Sequence, residues 1–274
     1  MTTRTLTHPT PGPVTLDART FAADIEVTVT DTTHATVTIS TTDTDGPAHE
    51  AVAGARLEHG WGVLTARVED RDAGGGITVV RRGSSVSISA VTVGPNVSII
   101  GGRVFMNGAE VTDTHTGSAP VTVRAELPRG SKIQAQTEAG AVTTRGPLAL
   151  AWARTVSGDV TIERTETATV TTTSGDVTIE QADTATPTTT SGDIEIREAR
   201  RIFVRTNSGD TLIDRAETIQ TQSVSGDVII HEATGYTDTR TVSGDITIRH
   251  SGHQTPLTHT VSGRVRVTAV RPSR

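Results

Sequence analysis

The chain has 274 residues, 34% of them hydrophobic, with a net charge of -6 and no cysteine; that length allows one large all-β unit or two ordinary domains. Its 53 threonines, against three Phe, two Trp and one Tyr, exclude a coiled coil or helical bundle, whose Ala/Glu/Lys/Leu richness is missing. The strand-forming character of Val, Ile and Thr argues against disorder.

The charge balance, with no basic run longer than Arg81-Arg82 or Arg200-Arg201, leaves no electrostatic footprint for nucleic acid. Without cysteine there is no disulfide framework, thiolate nucleophile or zinc-thiolate site, and no cofactor is expected. The opening residues lack the apolar core of a secretory signal, and no stretch is apolar enough for a membrane span. The expectation is a cytoplasmic chain.

In chain order, Val14-Thr15-Leu16, Asp24 to Thr30, Ala35 to Ser40, Gly62 to Val68 and Val121 to Leu127 all alternate apolar and polar residues, separated by Pro, Gly and Asp/Thr clusters. Gly74-Gly75-Gly76 and Arg81-Arg82-Gly83-Ser84-Ser85 read as loops, and Asn107-Gly108 as a tight turn. A boundary is placed near Pro128-Arg129-Gly130, which separates a less regular β-rich part, 1–128, from a regular part, 129–274.

The regular part repeats. Ser-Gly-Asp occurs at Ser157-Gly158-Asp159, Ser174-Gly175-Asp176, Ser191-Gly192-Asp193, Ser208-Gly209-Asp210, Ser225-Gly226-Asp227 and Ser243-Gly244-Asp245, with spacings of 17, 17, 17, 17 and 18 residues. Degenerate copies stand at Ala139-Gly140-Ala141 and Ser262-Gly263-Arg264. Ala22-Ala23-Asp24-Ile25-Glu26-Val27 looks like a worn copy of Ser191-Gly192-Asp193-Ile194-Glu195-Ile196, so one β architecture is expected to run through both parts.

Two and four residues after each glycine stand apolar pairs such as Val160/Ile162, Val177/Ile179 and Ile194/Ile196; seven and five before it stand pairs such as Ala168/Val170 and Ile202/Val204. A 17-residue strand-turn-strand unit has too little apolar surface to fold alone, so copies must stack. A propeller needs longer blades, and a hairpin meander gains nothing from a constant period. The economical solution is a parallel β-solenoid whose narrow interior suits Val, Ile, Ala and Thr and leaves little room for rings. Glycine is expected to supply a positive-φ corner. Position three before it (Thr155, Thr172, Thr189, Thr206, Ser223, Thr241, Thr260) faces in on one register; on the other, Val156, Val224, Val242 and Val261 do.

The stretch Val121-Thr-Val-Arg-Ala-Glu-Leu-Pro-Arg-Gly-Ser131, then Glu138-Ala-Gly-Ala-Val142, then the serial Thr-Val-Ser-Gly-Asp-Val copies, resembles the bacterial β-strand repeat proteins of domain of unknown function 4097, labelled "putative adhesins". The resemblance covers most of the chain, strongly from about Val121 to Val267. It implies a right-handed parallel β-helix and a binding surface, and it transfers no catalytic residue.

Several columns carry candidate chemistry. Asp159, Asp176, Asp193, Asp210, Asp227 and Asp245 would stack one coil apart, either as calcium ligands, for which one carboxylate per coil is a poor supply, or as acceptors for backbone N–H groups, each at its own corner. Arg264 would lie over Asp245. His250, His253 and His259 lie close in sequence without a fixed acidic partner, and the serines before each glycine lack a general base, so no catalytic or metal-binding residue is assigned. Outward positions six before the glycine include Trp152, Phe203 and Leu257, and those four before it include Arg154, Arg205 and Arg240; Leu212 and Ile229 adjoin on the other outer face. After Val267 the uncovered last coil is either blunted by Pro272 and its flanking arginines, or meets a partner or second copy. The function expected is a non-enzymatic solenoid presenting a surface to a protein or polysaccharide. A structural scaffold or cell-envelope stress accessory is the alternative, and a carbohydrate-active enzyme the third reading.

Overall fold

The fold is that of a computed structural model, which describes residues 1–69, 119–270 and, between them, the backbone of five short strands. From residue 119 onward the stack is built by β12 (Thr122–Pro128), β13 (Lys132–Gln136), β14 (Val142–Arg154), β15 (Val160–Thr171), β16 (Val177–Thr189), β17 (Ile194–Ser208), β18 (Thr211–Ser225), β19 (Val228–Ala233), β20 (Thr237–Ser243), β21 (Ile246–His250), β22 (Leu257–Ser262) and β23 (Val265–Ala269). From β13 to β23 each strand runs parallel to its counterpart one coil away, in a register that repeats the sequence period: Val160 pairs with Val177, Val177 with Ile194, and Ile194 with Thr211. This is a parallel β-solenoid of about eight turns.

Each regular coil is one long strand bent twice rather than two separate strands. The bends fall where consecutive side chains point outward, at Glu163-Arg164 and at Glu166-Thr167, and there the pairing skips Glu163 and Glu166. A coil therefore has a leading side after the Ser-Gly-Asp corner (160–163), a short side (164–166) and a trailing side into the next corner (167–172). The expected inward columns are buried, with Val160, Ile162, Ala168 and Val170 all at 0% exposure. Fully burying a Val or Ile side chain contributes ~1.5–3 kcal/mol, so stacking supplies what one coil lacks.

The register left open by the sequence is settled in favour of threonine. Thr155, Thr172, Thr189, Thr206, Ser223 and Thr241 are buried, while Val156 and Val224 are each 48% exposed. Aromatic poverty follows from the same geometry. Trp152 is half-buried on the outer surface, Phe21, Phe203 and Tyr236 are exposed, and Trp61 protrudes fully. Thus every aromatic residue among the described side chains lies outside.

The first part of the chain is threaded into this stack. It forms β1 (Thr2–Thr7), β2 (Thr15–Arg19), β3 (Asp24–Thr30), β4 (Thr36–Thr41), α1 (Gly46–Gly54), β5 (Arg56–Gly60) and β6 (Val63–Arg67). β2 pairs in parallel with both β6 and β13, and β3 with both β12 and β14, so the β2–β3 unit is one coil wedged between others. Ile25 pairs with Val142, which pairs with Val160; Ala22-Ala23-Asp24 therefore occupies a Ser-Gly-Asp corner. The coil beneath it leaves after β6 and returns at β12, with residues 69–120 inserted at the corner position.

Below that coil the strand sense reverses. β4 pairs antiparallel with β12 and β1, and β5 antiparallel with β6. The helix α1 departs from the all-β expectation. Pro47 pre-sets its first turn, Ala48, Ala51 and Val52 face the core, and Arg4 donates from its guanidinium to the carbonyls of Ala53 and Ala55 at its end. Between the two parts lie β7 (Thr78–Arg82), β8 (Ser85–Ser89), β9 (Val97–Ile100), β10 (Arg103–Met106) and β11 (Ala109–Glu110). Arg81 and Arg82 close β7 and Ser85 opens β8, so that expected loop is largely two strand ends. Gly74-Gly75-Gly76, Gly83-Ser84, Asn107-Gly108 and Pro272 with its arginines lie outside the described residues.

Candidate functional site

At the corners the glycine requirement is steric. A Cβ built on Gly158 would stand 1.9 Å from the carbonyl oxygen of Gly140, one on Gly175 2.0 Å from that of Gly158, and one on Gly192 2.0 Å from that of Gly175. The corners stack backbone on backbone and exclude a side chain. Positive φ, the expected reason, holds only for Gly209, Gly226 and Gly244 among the repeat glycines. Ala23 carries a Cβ at the same column position, where its neighbour in the strand beneath is Val121.

The aspartate column is a ladder between coils. Asp159 Oδ1 accepts the N–H of Asp176 at 3.0 Å, Asp176 that of Asp193 at 2.9 Å, and Asp193 that of Asp210 at 2.8 Å. The series continues through Asp227 and Asp245 to the N–H of Arg264. Asp24 makes the equivalent bond to the N–H of Ala141, which carries no carboxylate of its own and so separates it from the series that starts at Asp159. Each carboxylate thus serves the corner of the next coil, not its own as expected. Among the described residues no group of three His, Asp or Glu side chains could hold a metal ion.

The histidines are placed apart by the coil. His250 pairs with Ala233 and Ala269 at the inward column of the short side, whereas His259 pairs with Arg240 on the trailing side. At the Ser157 corner the hydroxyl donates to the Glu138 carbonyl of the coil below at 3.2 Å, a bond between coils and not within its own turn.

The bends carry charged columns that sequence reading left unsorted. Arg197 meets Glu180 one coil below at 3.1 Å, His231 meets Asp214 at 2.9 Å and Arg200 faces Asp183 at 3.8 Å. These exposed pairs contribute little stability, roughly 0–1 kcal/mol each, but opposite charges one period apart favour the correct coil pairing. Arg200 and Asp183 line a groove of about 850 Å³ along the short side, floored by small residues such as Ala182, Ala199 and Ala216, and Arg197 and Glu180 line a second of about 690 Å³.

The trailing side is different. Its outer column six before the glycine reads Asp17, Gln134, Trp152, Thr169, Thr186, Phe203, Gln220, Asp238, Leu257; the column four before reads Arg19, Gln136, Arg154, Thr171, Thr188, Arg205, Gln222, Arg240, His259. Trp152, Phe203 and Leu257 therefore recur every third coil, about 14 Å apart at ~4.8 Å per coil, and do not form one contiguous patch. A recess of about 190 Å³ lies beside Trp152, lined by Asp17, Arg19, Gln134 and Gln136. On the leading side Leu212 and Ile229 are direct neighbours, as expected.

Residues 150–271 match the family model described as Toastrack DUF4097, somewhat less than half of the chain. The later coils are thus similar to the Toastrack DUF4097 family. Three solved structures resemble the whole chain. A "putative lipid binding protein" from Parabacteroides distasonis is 13% identical, with 98% of this chain and 97% of that chain covered and a TM-score of 0.56. A "putative adhesin" from Parabacteroides merdae is 12% identical, with 98% and 96% covered and a TM-score of 0.54. A "putative adhesin" from Parabacteroides distasonis is 13% identical, with 98% and 97% covered and a TM-score of 0.53. At such identities the likeness is one of fold, and it extends to the threaded first part as well as the later coils. No curated protein matches the chain by sequence.

Proposed function

We propose that the protein is a non-enzymatic binding module that presents the trailing side of its solenoid to a protein or polysaccharide partner. The observation that carries this reading is the outward placement of the aromatic residues. The narrow core has no use for a ring, so Trp152 and Phe203 serve no interior packing, and a flat sheet face with spaced aromatic side chains offers contact area at low entropic cost. The resemblance to proteins described as adhesins agrees with it.

Capture of ligands from a cell lysate by the intact chain, compared with a Trp152→Ala, Phe203→Ala double variant, tests it. Loss of capture by a variant with unchanged melting temperature is the expected result. Equal capture by both chains sinks the reading and leaves a structural scaffold.

A further inference from the structure

The trailing side carries more than aromatic residues. Trp152-Ala153-Arg154 and Phe203-Val204-Arg205 are the same aromatic-x-arginine pair, with Ala153 and Val204 buried and the flanking side chains on the outer face. The register Arg154–Thr171–Thr188–Arg205 sets the two pairs three coils apart, and Thr169, Thr171, Thr186 and Thr188 line the outer face between them.

Neither Arg154 nor Arg205 makes a side-chain hydrogen bond or ion pair among the described residues. Arg19 and Arg240, in the same column, are each engaged by an aspartate two residues before them, at 3.0 Å. The column from Arg19 to His259 holds four arginines and no acid, although the chain as a whole carries -6. Asp17 and Asp238 neutralise the outer two, which leaves a stripe whose uncommitted charges are Arg154 and Arg205, three coils apart, beside spaced rings and hydroxyls.

We propose that this stripe binds an acidic, carboxylate-bearing polysaccharide laid along the solenoid axis, with Trp152 and Phe203 stacking on sugar rings and Arg154 and Arg205 pairing with uronate carboxylates. This rests on the trailing side being the binding face. The coil rise of ~4.8 Å is close to the length one pyranose adds to an extended polysaccharide, so successive sugars stay in step with successive coils. The planar guanidinium fork matches a carboxylate two-fold, and each aromatic lies roughly 7 Å along the strand from its arginine, adjacent enough for one sugar unit to meet both. The intervening threonines offer hydroxyls to the sugars between. Gln134 and Gln136, whose side-chain amides have no partner among the described residues, extend the polar lining into the recess beside Trp152.

The test is a fluorescence titration of the full chain carrying Trp61→Phe, which leaves Trp152 as the single reporter, with oligogalacturonate, uncharged cellohexaose and oligo-dT as three arms. The expected result is a saturable change in Trp152 emission with oligogalacturonate alone, weakening as ionic strength rises. By calorimetry, Arg154→Ala and Arg205→Ala each weaken binding about tenfold with unchanged melting temperatures. No saturable response to oligogalacturonate overturns the proposal. So does equal binding of oligo-dT, which would mark a surface reading charge alone, or equal binding of cellohexaose, or arginine variants that bind like the parent. If lysate capture depends on Trp152 and Phe203 while oligogalacturonate fails to bind, the binding face stands and the saccharide chemistry falls.

Discussion

The lower and upper corners of the solenoid use the same tripeptide in two different ways. At Gly158, Gly175 and Gly192 the glycine N–H donates to the inward threonine three residues before it, Thr155, Thr172 and Thr189, each at 2.9 Å. At Gly209, Gly226 and Gly244 the backbone turns to positive φ, and the glycine N–H donates upward to the serine carbonyl of the next coil. The changeover occurs within one corner, since Ser208 N–H still donates downward to Thr190 while Gly209 N–H donates up to Ser225. Thr206 Oγ1 and Thr260 Oγ1 instead donate to the carbonyls of Ser208 and Gly244, and at the two corners between them the inward hydroxyl loses its role. Ser223 and Thr241 have no hydrogen-bond partner, nor do Thr211, Thr221, Thr237 and Thr239 in the same coils. An identical motif thus forms a satisfied corner at Thr155, Thr172 and Thr189 and leaves the buried hydroxyls of Ser223 and Thr241 without a partner, which marks the coils around those two corners as the weaker part of the stack.

The strongest way to break this comparison is at the glycines themselves. Gly175→Ala places a methyl against the Gly158 carbonyl, where only separation of the coils relieves it; a loss of roughly 4 kcal/mol or more, or failure to fold, is expected. The reciprocal change Ala23→Gly, at the equivalent position over Val121, should cost only about 1 kcal/mol. Urea midpoints of the two variants measure the contrast, and similar losses would mean that coil stacking does not set the glycine requirement.

A threonine-to-valine pair sharpens the difference between the regions because opposite signs are expected. Thr172→Val removes the acceptor of the Gly175 N–H and should destabilise by ~1–3 kcal/mol. Thr241→Val removes a buried hydroxyl that has no partner, and should raise stability by about 1 kcal/mol. Equal losses at both sites would show that the upper hydroxyls are satisfied in solution.

The smallest effect is expected in the exposed aspartate ladder, which runs through both regions. Asp193→Ala should cost about 1 kcal/mol by leaving the Asp210 N–H without its acceptor. Asp193→Asn, which keeps an oxygen there, should be close to neutral because it also relieves repulsion between neighbouring carboxylates, ~0.9 kcal/mol at 4.8 Å in water. Millimolar calcium should leave the melting temperature of the parent unchanged; a rise would show a site that binds only the native state.

Much of this architecture was legible because a stacked coil writes its period into the sequence. The 17-residue spacing places the corners, parity places Val160 and Ile162 inside, and the worn copy at Ala22-Ala23-Asp24 is legible from its likeness to Ser191-Gly192-Asp193 and the residues that follow. The strand from Asp24 to Thr30 has the bounds its pattern indicated. Other features carry no period. The helix α1 rests on nine residues that pack against the core only once the antiparallel strands beneath the stack are in place. The charged bends were hidden because Glu180 and Arg197 become neighbours only when the coils pair. The candidate face was half legible: the columns holding Trp152 and Arg154 could be drawn, but not which arginines an aspartate already holds.

By itself the sequence determined the repeat, the parallel stacking and the exclusion of rings from the interior, because these follow from spacing and side-chain volume within one coil. Tertiary structure alone decided how the first part threads between later coils, why each corner must be glycine, and which of two hydrogen-bond patterns a given Ser-Gly-Asp adopts. The reason is physical: a carbonyl 1.9 Å from a would-be Cβ belongs to the neighbouring coil, and no single repeat contains both groups.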